Sequence, residues 1–228
     1  MAKIFSVFGR AGLTRVFDPM ARGLLRLGVS PDAVTVAGTA GVLVGAVGFA
    51  SRGHLVIATV IVTLCAFTDM LDGSMARQRG RAGRFGAFLD STMDRVADGA
   101  VFASVAYWLG TENRRAAAAA ALICLVAGQI ISYTKARAES LGLTASVGIA
   151  ERAERLVLVG VGGLLTGLGL HYAIDVALWL LAVLSVITVV QRMVTVYRQD
   201  QRTAEGSAAA GSAEAGSAAA GSTPEGPR

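Results

Sequence analysis

Residues 69–94 read DMLDGSMARQRGRAGRFGAFLDSTMD, and long apolar runs stand on either side of them. Four aspartates, Asp69, Asp72, Asp90 and Asp94, therefore sit next to hydrocarbon-compatible sequence. Charged groups there are costly and rare, and they mark ion, proton or substrate sites. Asp69 and Asp72 are three apart, and Asp90 and Asp94 four apart, so each pair projects from one face of its helix. If the two helices are antiparallel neighbours joined by the basic turn 77–85, all four carboxylates converge on one pocket near the membrane surface. Four such charges repel one another unless they are protonated or bound to cations. An all-oxygen ligand set suits Mg²⁺ or Mn²⁺, as a pair of ions, better than zinc. His54 and His171 fall at the opposite membrane face and are not expected as ligands. Hard divalent ions of this kind serve phosphates, often as a two-metal clamp.

Working outward, the whole chain has the character of a membrane protein. It has 228 residues, of which 54% are hydrophobic and 16% charged, with mean hydropathy +0.57, too apolar for an ordinary soluble domain. Six segments approach spanning length, near 33–50, 54–76, 86–109, 116–138, 156–170 and 173–195. The expected fold is an all-α integral membrane protein of six transmembrane helices, preceded by an N-terminal juxtamembrane amphipathic helix. With both termini on one side, 18 of the 21 Lys and Arg residues fall there and only Arg52, Arg114 and Arg115 on the other. The positive-inside rule then puts both termini and the aspartates on the cytoplasmic face of a multi-pass cell-membrane protein. The basic residues flank spans instead of forming a soluble face, so anionic lipid and phosphate are the expected partners, and nucleic acid is not. Cys65 and Cys124 lie within apolar runs and read as packing thiols. No short apolar core with a cleavage site marks a removable signal peptide.

Three parts follow along the chain. Residues 1–29 mix Phe, Val and Leu with Arg at helical spacing, an interfacial amphipathic segment. Residues 30–198 hold the six spans, entered through Ser30-Pro31-Asp32, with Ser30 or Asp32 as a helix cap. Residues 199–228 are an Ala/Gly/Ser-rich tail without core-forming residues, expected to be disordered. Gly41 and Gly45, and Gly163 and Gly167, permit close helix approach, within one subunit at least as readily as across a dimer seam.

Small residues also cluster at the aspartates. Gly73 and Ala76 remove bulk beside Asp72, Gly86 leaves room one turn before Asp90, and Arg77 supplies a cation for phosphate oxygens. The string Asp69-x-x-Asp72-Gly73-x-x-Ala76-Arg77, eight residues, then Gly86-x-x-x-Asp90-x-x-x-Asp94 resembles the complete signature of the CDP-alcohol phosphotransferases, over a core of roughly residues 30–197. The resemblance implies a membrane enzyme, often a homodimer, that transfers a phosphatidyl-type group from a CDP-linked lipid such as CDP-diacylglycerol to an alcohol and releases CMP. It implies that Asp69, Asp72, Asp90 and Asp94 bind metal and that Asp94 is also the general base. It further implies that Ser30, Pro31, Asp32, Ala33, Gly73, Ala76, Arg77 and Gly83 hold the CDP-lipid.

A second basic group bears on the acceptor: Lys135, Arg137, Arg152, Arg155 and Arg192, all on the expected cytoplasmic side. Each alone is explained as a positive-inside anchor. Several cations reaching one cavity favour a phosphorylated acceptor. Ser132-Tyr133-x-Lys135-Ala136-Arg137-Ala138-Glu139, with Glu151-Arg152, Glu154-Arg155 and Gln191-Arg192, resembles an actinobacterial subgroup that makes phosphatidylinositol phosphate. Ala153 and Gly83 depart from that subgroup, where a proline and a hydroxyl residue are usual. The implied acceptor is 1D-myo-inositol 3-phosphate, with glycerol 3-phosphate as the nearest rival. From another class, a cation or proton transporter would use the aspartates as an ion path, but such sites favour the midplane, whereas these aspartates lie at span ends.

Overall fold

The apolar runs become helices wherever Pro, Gly and charged turns leave them uninterrupted. The computed structural model describes residues 17–79 and 83–220, with side chains through residue 203. A first helix, α1, occupies 17–26; the rest of the expected amphipathic segment, 1–16, lies outside the described residues. Then come α2 (Pro31–Leu43), prolonged by a π-helical turn over Val44–Phe49 and a 3₁₀ turn over Ala50–Arg52, α3 (Leu55–Ala66), α4 (Thr68–Gln78) and α5 (Arg84–Thr111). α6 (Arg115–Ser140), α7 (Arg152–Gly167) and α8 (Ala173–Ala220) complete the chain, and no strand occurs among the described residues.

Each of the six expected apolar segments is helical over most of its length. Four stretches are long and apolar enough to cross a membrane: Pro31–Arg52, Leu55–Gln78, Arg115–Ser140 and Ala173–Thr203. The other two fall short for different reasons. α5 has 28 residues but carries Arg84, Asp90, Asp94, Arg95 and Asp98, and α7 has only 16 residues.

The core is built where α5, α6 and α8 meet. Phe102 and Leu109 of α5 pack with Ala120 and Cys124 of α6 and Leu178 and Leu181 of α8, all essentially buried. Alanine along α6 keeps these helices close. The predicted glycines face partners in the same chain: a Cβ on Gly41 would strike Cys65, and one on Gly45 would press on Ile61 and Val62. Gly163 faces Thr59, and Gly167 faces Val56. Their role is thus met by packing α2 and α7 against α3. The two thiols behave as packing groups, Cys124 buried and both unpaired.

α1 docks on the helix that carries the first two aspartates. Its Ala21 is fully buried with Val34, Leu71 and Met75, flanked by Phe17 and Leu24, whereas Arg22 and Arg26 stay exposed. Ser74 Oγ donates to Asp18 Oδ1 at 2.6 Å, and Gln78 Nε2 to the Asp18 carbonyl at 3.2 Å. At the other end the expected disordered tail differs: α8 remains helical to Ala220. Alanine has the highest helix propensity, so the repeats extend the last helix without needing a core of their own.

Candidate active site

α3 and α4 are nearly one helix, but the run is re-registered at Phe67. Met70 N donates to the Phe67 carbonyl at 3.1 Å, a tightened turn, and Thr68 Oγ1 donates to the Cys65 carbonyl at 2.5 Å. Asp69 therefore falls in the first turn of a new helix, where an anionic side chain is favoured by the exposed amides. α2 reaches this break because Gly38 has no side chain; a Cβ there would run into Thr68 Oγ1. Ser30 caps α2, its Oγ accepting from Ala33 N at 3.1 Å, with Pro31 and Asp32 in the first turn. That settles the cap between the two candidates.

Thr35, one turn into α2, donates through Oγ1 to Asp72 Oδ2 at 2.5 Å. Asp72 is only 6% exposed, and a buried carboxylate without a donor is costly. The entry turn, α2 and α4 are thereby held as one unit. Gly86 opens the start of α5 to this turn, since a Cβ on it would lie 3.2 Å from Asp32 Oδ1. Gly73 faces Arg77, whose Nη1 would stand 3.5 Å from a Cβ at 73. Arg77 itself is exposed in the last turn of α4, and Gly83 precedes α5 in an extended conformation. These placements put Ser30, Pro31, Asp32, Ala33, Gly73, Ala76, Arg77 and Gly83 at the same end of the bundle as the aspartates.

The four aspartates do not close on one point. Among the described residues no three acidic, histidine or cysteine side chains are gathered closely enough to hold a metal. Asp72 turns to Thr35, and Asp90 is exposed. Asp69 of α4 and Asp94 of α5 are instead joined by a guanidinium. Arg152 Nη1 lies 2.7 Å from Asp69 Oδ2 and 2.8 Å from Asp94 Oδ1, while its Nε lies 3.3 Å from Asp98 Oδ1. Mutual repulsion of the carboxylates explains the arrangement: Asp69, Asp72 and Asp94 each meet a positive or donating group from another element, and Asp90 faces outward. The residues do fit a divalent cation. Two carboxylates on different helices already share one positively charged group, and the donors are all oxygen.

Asp98 continues the face of Asp90 and Asp94, a position that suits either a fifth site residue or the partner of a neighbouring arginine. It pairs with both Arg152 and Arg155, and Arg155 is 1% exposed. The only hint in the sequence was its position one turn beyond Asp94 on the same face. Thr35 was missed because a lone threonine in an apolar run carries no signal; only the crossing of α2 over α4 gives it a role.

The five basic residues expected at the acceptor divide. Lys135 and Arg137 are exposed near the end of α6. Arg155 is buried, with Gly128 directly against its guanidinium: a Cβ there would lie 3.1 Å from Cζ. Arg192 is buried too, donating to the Val147 carbonyl at 2.8 Å and the Ile131 carbonyl at 2.6 Å. A charge this deep needs such partners. In so bonding, Arg192 anchors the 141–151 connection, together with Thr188, whose Oγ1 accepts from Ile149 N and Ala150 N at 3.1 Å each. The connection is therefore held in place just ahead of Arg152.

Between α3 and α7 runs an apolar groove of about 650 Å³, lined by Ala58, Val62, Phe67, Leu156 and Gly160, with Asp69 and Arg152 also on its wall. An apolar trough that meets a charged site matches an amphiphilic ligand.

The profile of the CDP-alcohol phosphatidyltransferase family matches residues 28–196. Phosphatidylinositol phosphate synthase of Streptomyces avermitilis is 48% identical over 210 residues, covering 89% of this chain and 86% of its relative. The Mycobacterium tuberculosis protein of that name is 47% identical over 197 residues, covering 82% and 88%. The crystal structure of the M. tuberculosis protein with CDP-DAG bound superposes with a TM-score of 0.78 at 47% identity, covering 80% of this chain and 94% of that one. Its complex with manganese and citrate gives 0.77 at 46% identity, covering 79% and 88%.

Proposed function

From the chain's membership of the CDP-alcohol phosphatidyltransferase family, we propose that it transfers the phosphatidyl group of CDP-diacylglycerol to 1D-myo-inositol 3-phosphate, forming phosphatidylinositol phosphate and CMP. The observation that carries this reading is the full signature, Asp69 through Asp94, in a chain 48% identical over most of its length to a phosphatidylinositol phosphate synthase. The same membership displaces the transporter reading.

On this reading α5 and α7 cross the membrane together with the four more uniformly apolar stretches, giving six spans with both termini and the site cytoplasmic. The exposed arginines of α1 suit an interfacial position. Asp69, Asp72, Asp90 and Asp94 hold two divalent ions, Mg²⁺ or Mn²⁺. Bound there, the ions would neutralise the pyrophosphate and polarise the phosphorus under attack.

The chain's own groups do the rest. The turn Ser30-Pro31-Asp32-Ala33, with Gly73, Ala76, Arg77 and Gly83, forms the nucleotide side, where missing side chains admit the cytidine phosphate. The apolar groove between α3 and α7 takes acyl chain. Asp94 accepts the acceptor's hydroxyl proton, and its pairing with Arg152, which lines the groove, suits a base acting at the membrane surface. Lys135 and Arg137 meet the acceptor's phosphate first; Arg152, Arg155 and Arg192 serve it by exchanging their present partners. The enzyme works as a homodimer.

The test is CMP release by purified protein with CDP-diacylglycerol and Mg²⁺, comparing inositol 3-phosphate, inositol, glycerol 3-phosphate and serine. Release confined to inositol 3-phosphate is expected. Release with glycerol 3-phosphate alone would keep the family and change the acceptor.

A further inference from the structure

We infer that Arg152 is a built-in counter-cation that competes with the divalent ion for Asp69 and Asp94, and that metal entry displaces it. The inference rests on the metal-site reading above and adds a residue to it. One nitrogen, Nη1, stands 2.7 and 2.8 Å from carboxylate oxygens of two different helices. A hard divalent ion bonded to those oxygens would lie about 2.1 Å from each. It would occupy the place of that nitrogen, and a guanidinium, having no lone pair to offer, cannot become a ligand.

The position of Arg152 in the chain suits an exchange. It is the first residue of α7, after the extended Glu151, and its side chain is partly exposed. Arg155, one turn on, is fully buried against Asp98 and Gly128, and its bonds go to neither Asp69 nor Asp94. Asp98 also touches Arg152 Nε at 3.3 Å, so it offers a carboxylate to which Arg152 remains attached when Asp69 and Asp94 are taken. The released guanidinium tip then lies beside the ion, where an anionic substrate group would meet it. One side chain would thus serve as substitute cation before loading and as anion ligand afterwards.

The experiment measures Mn²⁺ binding to purified full-length protein by calorimetry, with electron paramagnetic resonance of free Mn²⁺ as an independent count. Arg152→Gln is expected to tighten Mn²⁺ binding about tenfold, the scale of one removed charge contact at an intermediate dielectric. Arg155→Gln, which removes an equal charge whose carboxylate partner is Asp98, is expected to change it far less. Equal tightening in both variants would reduce the effect to bulk electrostatics and overturn the inference, as would unchanged or weaker binding in Arg152→Gln.

Wild-type protein supplies a second measurement that needs no variant. Labelling by phenylglyoxal, followed by peptide mapping, is expected to rise several-fold at Arg152 when saturating Mg²⁺ is added; no rise overturns displacement. Failure of the underlying site reading looks different. Wild-type protein that binds no Mn²⁺, or binds it unchanged after Asp94→Asn, would remove both claims, whereas Asp94-dependent binding with no response at Arg152 removes only this one.

Discussion

Thr35 donates its hydroxyl to Asp72 across 37 positions of sequence, and in doing so joins the entry helix to the helix of the signature. Asp72 is buried, so the bond replaces water that the carboxylate has lost. Thr35→Val keeps the shape and removes the donor. Stability is expected to fall by about 1–3 kcal/mol, read as a lower melting temperature in detergent, with Thr35→Ser restoring most of it. A Thr35→Val protein melting with wild type would sink this account.

Asp98 carries two arginines, one of them almost wholly buried. Asp98→Asn leaves the Arg155 guanidinium without its counter-charge, a loss of about 3–5 kcal/mol. Folded yield and thermal midpoint should both drop. The double variant Asp98→Leu with Arg155→Met, which removes both charges, should recover much of the loss. Recovery no better than the single variant would show that the pair is not what holds α5 to α7.

Gly38 lets α2 pass against the α3–α4 break. Gly38→Ala drives a methyl into Thr68 Oγ1, and overpacking of this kind costs about 1–3 kcal/mol. Because α4 starts at Thr68, turnover should suffer along with stability. Combining it with Thr68→Ala makes room and should return part of both; strictly additive losses would contradict the contact.

Asp94 and Lys135 should separate in steady-state kinetics. Asp94→Asn is expected to lower turnover at least about 100-fold while CDP-diacylglycerol binding persists. Lys135 is exposed, so Lys135→Ala should leave the melting temperature alone and raise the acceptor's KM about tenfold, the scale of one charged hydrogen bond to phosphate. Near-normal turnover in Asp94→Asn would remove it as the base. An unchanged KM in Lys135→Ala would remove that residue from the acceptor site.

What could be read from sequence alone was whatever is encoded locally. Apolar runs set the helices, because hydrophobicity summed over about 20 residues needs no partner to be recognised. Spacing of three and four put Asp69 with Asp72 and Asp90 with Asp94, because helical periodicity fixes faces before any tertiary contact exists. A cap at Ser30 or Asp32 was legible for the same reason, and the choice of Ser30 came only with the folded chain. The break at Phe67, the division of the five basic residues into exposed and buried, and the pairing of Asp69 with Asp94 through Arg152 were decided only in three dimensions. Each depends on which helix crosses which, and on where a charge removed from water can find an opposite one. Arg152 lies 83 positions from Asp69, a distance over which no sequence pattern specifies a bond; the bundle brings them together, and electrostatics then selects the pair.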